Sequence, residues 1–115
     1  MNNCIFCKIV KKEIPSKVIF ENEDLLAFND VNAQAPIHIL LIPKIHRGSL
    51  LDVREGEDDP LMVRMFAAVV KIAQIKGIDA TGFRLVANTG HDGGQTVSHL
   101  HFHLLGGRRM NWPPG

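Results

Sequence analysis

The sharpest pattern in this chain is the alternation of polar and apolar residues over Ser98-His99-Leu100-His101-Phe102-His103-Leu104-Leu105. A period of two predicts a β-strand, because successive side chains leave the backbone on opposite sides. Leu100, Phe102 and Leu104 then face a core, and His99, His101 and His103 share the other face about 6.6 Å apart. Shorter runs predict further strands at Lys17–Glu21 and Leu25–Phe28, joined by a tight turn at Asn22–Asp24, with Asp30 and Val31 closing the second. Ile37–Ile42 is almost wholly apolar and bounded by prolines, as expected of a central strand. Phe83–Asn88 is a further strand, and the loop 89–97 leads from it to the histidines. Residues 8–15 begin helix-like and are limited by Pro15. Asp58-Asp59-Pro60 starts the longest helix with an acidic N-cap and proline at the first helical position. Met62, Phe66, Val69 and Ala73 supply its apolar stripe and Gly77 its C-terminal cap. Residues 46–57 are irregular, with a short helical turn from Ser49. The predicted fold class is α+β, an about five-stranded, mostly antiparallel sheet with one long and one short helix.

Composition narrows the setting. The 115 residues suffice for one domain over 1–115 with one core, and are too few for two. Net charge is +1, which gives no general field for nucleic acid or a membrane, so neither is expected as a partner. Met1-Asn2-Asn3-Cys4 lacks the basic-then-apolar pattern of a signal peptide, and no apolar run nears the ~20 residues that span a bilayer. The expected location is cytoplasmic.

Three histidines in register are costly as filler on a half-buried face, so they point to a metal or to histidine chemistry on an anion. The two cysteines, Cys4 and Cys7, form a single Cys-x-x-Cys. Two readings are open: a pair of buried small side chains, or half of a four-ligand zinc site. No βαβ pattern follows to support a thioredoxin-like pair. Asp30 reads from local sequence as a turn cap, and His38 as a buried, satisfied histidine. Gly90, Gly93 and Gly94 let backbone amides approach an anion, and their position directly before the histidines makes the loop a candidate phosphate cradle. Phe6, Phe20 and Leu41 are candidate walls for an apolar pocket. His91 reads as a solvated loop residue.

The His-x-His-x-His stretch, with Asn88-Thr89-Gly90 and Gly93-Gly94-Gln95-Thr96 before it and Gly106-Gly107-Arg108-Arg109-Met110-Asn111-Trp112-Pro113-Pro114-Gly115 after it, resembles the histidine triad (HIT) superfamily. The tail resembles the branch of histidine triad nucleotide-binding proteins, which act as nucleoside phosphoramidate hydrolases. The resemblance implies a HIT-like fold, a purine nucleotide substrate, and a two-fold homodimer through the C-terminal tail and long helix, with the tail reaching the partner's active site. It implies Asp30 on the ribose hydroxyls, Val31 against the base, and His38 as a partner near the phosphate. It also implies structural zinc on Cys4, Cys7, His46 of Pro43-Lys44-Ile45-His46, and His99, with no catalytic cofactor.

The middle histidine, His101, is the expected nucleophile. It attacks the α-phosphorus of a nucleoside 5′-phosphoramidate, gives a nucleotidyl-histidine, and water then releases the nucleoside monophosphate. One ring nitrogen must be held as N–H so that the other attacks, and a backbone carbonyl near His99 serves in the family. His103 is expected on the phosphoryl oxygens, with Asn88, Gly94, Gln95 and Thr96 adding donors. Thr96 stands where close relatives usually carry serine; the extra methyl stiffens its rotamer. The third triad position is glutamine in the uridylyltransferase branch and is His103 here, which favours hydrolysis. The Trp112-Pro113-Pro114-Gly115 ending looks unlike the dinucleoside polyphosphate hydrolases. Two other classes are weighed beside the enzyme, a nucleotide-binding scaffold with negligible turnover and a zinc-stabilised interaction module.

Overall fold

The computed structural model describes residues 3–115. Five strands form one antiparallel sheet: β1 (Val18–Glu21), β2 (Leu25–Asn29), β3 (Ile37–Pro43), β4 (Phe83–Val86) and β5 (Phe102–Gly106). Their order is β1-β2-β3-β5-β4, so the histidine-bearing strand lies inside the sheet between β3 and β4. The short helix α1 spans Ile5–Val10 and the long helix α2 spans Asp59–Ile75. The predicted class, strand number and helix complement are those observed.

The sheet is covered on both faces, which explains why β2 and β3 are apolar at nearly every position. Leu25, Ala27, Ile39, Leu41, Phe102 and Leu104 pack with Met65, Ala68, Val69 and Ile72 of α2. Leu26, Phe28, Leu40 and Ile42 face the other way and pack with Phe6 and Ile9 of α1. The period of two therefore sorts side chains between two apolar layers, not between core and water. Leu40 pairs with His103, which puts His103 on the α1 face.

Several boundaries differ from expectation for identifiable reasons. α1 begins at Cys4, whose thiolate-capable sulfur accepts the Cys7 N–H at 3.3 Å, and it stops before Pro15 because Lys12 turns left-handed at φ 64°. β5 starts at Phe102 instead of Ser98, since the Leu100 N–H is drawn to the Arg47 carbonyl at 2.6 Å. β4 ends at Val86, opposite His103, because no strand remains beside Ala87 and Asn88. Asp30 follows β2, although its N–H still bonds the His38 carbonyl at 2.9 Å.

In α2 the buried stripe is Met65, Ala68, Val69, Ile72 and Ala73; Met62 is only half-buried and Phe66 is exposed, its ring 5.5 Å from Phe102. The stripe is thus rotated from the predicted one while Val69 and Ala73 remain in it. Asp58 occupies the N-cap position without capping. Its carboxylate accepts from Arg47 Nε at 2.9 Å, Arg47 Nη2 at 3.0 Å and the Arg54 N–H at 2.8 Å. Arg47 beside it holds the Asp58 carboxyl below the usual range. Gly77, at φ 71°, ends the helix as expected. No helix among the described residues is long and apolar enough to cross a membrane.

Ile72 is fully buried between α2 and the sheet. Ile72→Ala should lower unfolding free energy by about 2–5 kcal/mol, read from urea midpoints with unchanged slope.

Candidate active site and metal cluster

A cavity of about 280 Å³ opens between α1 and the sheet, lined by Phe6, Ile9, Ile14, Phe28, Leu40, Asp30, Val31, Thr96, His101 and His103 among others. Its apolar walls suit a flat heterocycle, and its polar groups gather at one side. Of the predicted walls only Phe6 is present. Phe20 and Leu41 pack on the α2 side, and Phe28 and Leu40 take their places, one face over on the same sheet. Ile9 and Ile14, which also line the cavity, were not among the predicted walls.

His101 is buried, with its ring edge-on to Phe6 at 5.1 Å. Its Nδ1 lies 2.6 Å from the His99 carbonyl oxygen. A carbonyl only accepts, so Nδ1 carries the proton and Nε2 keeps its lone pair. The same reasoning fixes a relay behind His103. The Gln34 N–H donates to His38 Nδ1 at 3.0 Å, so His38 is protonated at Nε2. That N–H faces His103 Nδ1 at 2.9 Å and Asp30 Oδ2 at 3.3 Å. His103 therefore accepts at Nδ1 and carries its own proton at Nε2. Burial pushes His103 down to about 4, helped by the nearby His101 and His38 rings. Burial also lowers His38, against an opposing pull from Asp30. Both rings are neutral at pH 7: one offers a lone pair, the other an N–H.

His99 does not join them. Its ring points into a cluster with Cys4, Cys7 and His46, whose ligand atoms all lie within 4.8 Å of one another. His99 Nδ1 is 3.3 Å from Cys4 Sγ, 3.5 Å from Cys7 Sγ and 3.1 Å from His46 Nδ1, and His46 Nδ1 is 3.3 Å from Cys7 Sγ. A zinc tetrahedron with nitrogen and sulfur ligands has edges of roughly 3.3–3.8 Å, close to this spacing. His99 Nε2 donates to the Pro43 carbonyl at 2.9 Å, which leaves Nδ1 free to ligate. Burial and the Cys4 thiol push the Cys7 thiol up to about 11, so it becomes a thiolate only beside a cation. The four residues fit a structural zinc. The three histidines share the α1 face as expected, with His99 6.0 Å from Phe6 and inside the cysteine cluster; two rings line the cavity, and the third serves the site through its carbonyl.

The glycine-rich loop reaches the cavity only through its last residues, Thr96 and Val97. Gln95 gives both amide protons to the carbonyls of Gly48 and Val97, at 2.7 and 2.9 Å, and accepts the Gly90 N–H. Asn88 donates to the Gly93 carbonyl at 2.7 Å. Gly94 is left-handed at φ 74°, and a side chain on Gly93 would strike the Thr89 backbone. Asn88, Gly94 and Gln95 therefore brace the loop and do not line the cavity. His91 is fully exposed beside Asp92.

Residues 11–110 match the family model described as "HIT domain". The chain is 50% identical over 113 residues to the "14 kDa zinc-binding protein" of Zea mays, covering 96% of this chain and 87% of that one. It is 48% identical over 112 residues to "Adenylylsulfatase HINT1" of Arabidopsis thaliana, covering 96% and 76%. Among solved structures, the HIT family hydrolase from Legionella pneumophila Philadelphia 1 superposes with a TM-score of 0.95 at 49% identity, covering 98% of this chain and all of that one.

Two measurements follow from this geometry. His103 titrates near 6.5 when unfolded and near 4 when folded, so the unfolded chain binds the extra proton between those values. Its contribution to stability is complete above about pH 6.5 and is lost as pH falls towards 4. Urea midpoints should fall more steeply over that window for the natural protein than for His103→Gln; parallel curves would refute the assignment. Metal analysis of purified protein should give one zinc per chain, and Cys7→Ala should lose it.

Proposed function

Because the chain belongs to the HIT domain family, we propose that it is a hydrolase of nucleoside 5′-phosphoramidates, acting on a purine nucleotide through a nucleotidyl-histidine. The observation that carries this reading is the 2.6 Å contact between His101 Nδ1 and the His99 carbonyl, which leaves an unprotonated Nε2 on a ring that lines the cavity. The name of the Arabidopsis relative, an adenylylsulfatase, supports attack on an adenylyl group, and the Legionella relative is described as a hydrolase.

In this reading His101 Nε2 attacks the α-phosphorus in line with the leaving amine. The P–N bond to the amine breaks as the bond to Nε2 forms, and the leaving nitrogen takes a proton from solvent, which the attacking water of the second step gives back. Water then displaces His101 and gives the nucleoside monophosphate. His103 donates its Nε2 proton in a hydrogen bond to a phosphoryl oxygen, where negative charge grows. The His38 N–H fixes that tautomer. Thr96 lines the cavity, where its hydroxyl would serve the leaving group. Asp30 accepts from the ribose hydroxyls; its Oδ1 already takes the Asn32 N–H at 2.9 Å and each oxygen retains a further lone pair. Val31, wholly exposed at the mouth, is placed to cover a base. Zinc on Cys4, Cys7, His46 and His99 has a structural part, and no step passes through it.

We also assign a homodimer. Val63, Phe66 and Val70 form an exposed apolar stripe on α2, and Trp112 is 82% exposed on the tail. Both surfaces suit burial against a second copy.

Rapid quench with adenosine 5′-phosphoramidate, followed by peptide mapping, should place a nucleotidyl group on His101. His101→Ala should cut turnover roughly a thousandfold or more while still binding adenosine monophosphate. Binding without turnover by the natural protein would instead favour a scaffold, and faster cleavage of dinucleoside polyphosphates would favour that class. Asp30→Ala should raise KM for the nucleotide by roughly tenfold with kcat little changed.

A further inference from the structure

The cavity on the α1 face has polar groups at both ends, and the proposed reaction uses those at one. His101, His103 and Thr96 serve the phosphate, and Asp30 takes the sugar. Ser16, half-buried on the segment between α1 and β1, lines the same cavity and has no part in that reaction. Its place follows from the register of the sheet. His103 pairs with Leu40, Leu40 with Phe28, and Phe28 with Val18, so one row crosses from β5 to β1. Three strand spacings make that row roughly 14 Å long, enough for a phosphate, a ribose and a base laid end to end. Asp30 follows β2, and the Asn29 N–H donates to the Lys17 carbonyl at 3.1 Å, which sets Ser16 on the far side of Asp30 from the histidines.

The far end of the cavity is closed by the chain leaving α1. Lys12 turns left-handed at φ 64°, and Ile14, Pro15 and Ser16 then form the end wall. Asn29 also borders this end, but it pairs with Ile39 of the α2 layer, so alternation along β2 turns its amide away. The Ser16 hydroxyl is the side-chain polar group that remains there, beyond the apolar stretch of Leu40 and Phe28.

We propose that Ser16 is the base-reading residue of this cavity: its hydroxyl hydrogen-bonds the N1–C6 edge of a purine whose phosphate lies at His101 and His103. That edge holds the purine atoms farthest from the sugar, so it is the part of the ligand that reaches the end wall. A hydroxyl both donates and accepts, so it serves the 6-amino group and N1 of adenine or the O6 and N1–H of guanine. A pyrimidine, one ring shorter, stops before Ser16. The pocket therefore takes either purine and disfavours a base that lacks polar atoms at this edge.

The assignment deepens the proposed reaction and rests on it for the end at which the phosphate lies; its test needs binding alone. Dissociation constants are measured by calorimetry for adenosine monophosphate and for two analogues, purine riboside 5′-monophosphate, without the 6-amino group, and 1-deazaadenosine 5′-monophosphate, without N1. The natural protein should bind at least one analogue about three- to tenfold more weakly than adenosine monophosphate. Ser16→Ala should bind all three within about twofold of one another, because the lost partner no longer matters. Comparing ligands within one variant cancels any general loosening of the fold. 2′-Deoxyadenosine monophosphate should be weakened equally in both proteins, since its missing hydroxyl belongs to Asp30. Equal binding of the three bases by the natural protein, an unchanged preference in Ser16→Ala, or loss of the 2′-hydroxyl preference in Ser16→Ala would overturn the proposal. The expected base preference without phosphoramidate turnover would fault the proposed reaction and leave the role of Ser16 standing, whereas failure to bind any nucleotide would overturn both.

Discussion

One main-chain oxygen, the His99 carbonyl, decides what the histidine-rich segment can do. An imidazole has two nitrogens, and a free ring exchanges its proton between them. With Nδ1 donating at 2.6 Å to an atom that can only accept, His101 is held in one form. A similar constraint runs through His38 into His103, where the Gln34 amide begins the order that ends with an N–H on His103. Two histidines at alternate positions of one segment thereby present opposite polarity to one cavity. Their chemistry differs only because their hydrogen-bond partners differ.

The sheet makes this arrangement affordable in space. With α2 on one face and α1 on the other, the inner strands are dry on both sides, and a histidine there must find partners inside the protein. His38 and His103 satisfy each other. His99 is satisfied by Pro43 and by the cysteine cluster. A gap on the α1 face is bordered by Phe6, Ile9 and Ile14, and it is there that His101 and His103 reach open volume.

The placement of α1 ties the two centres together. Cys4 caps the helix, Cys7 lies one turn in, and Phe6 between them sits against both His99 and His101, at ring distances of 6.0 and 5.1 Å. Six residues thus supply half of a metal cluster and one wall of a nucleotide-sized pocket. So short a helix has little stability alone, and its position depends on these contacts.

Periodicity in the sequence determined the strand-rich architecture, the long helix up to Gly77, and the division of Leu100, Phe102 and Leu104 from His101 and His103. These follow from local geometry, because a period of two or of 3.6 residues fixes which side chains share a face. The motif resemblance placed Cys4, Cys7, His46 and His99 in one set, though residues 4 and 99 are far apart in the chain. What the sequence could not decide was direction wherever a long-range bond bends the backbone. Leu100 reaching for Arg47 stops the strand short, and the His99 ring ends in the cysteine cluster beside α1. Phe28 and Leu40 replaced Phe20 and Leu41 because an all-apolar strand between two cores carries no mark of which face is which. Gln95 became a brace because its carbonyl partners, Gly48 and Val97, meet it only after folding. Local pattern chose the faces; contacts between distant residues chose what each face is for.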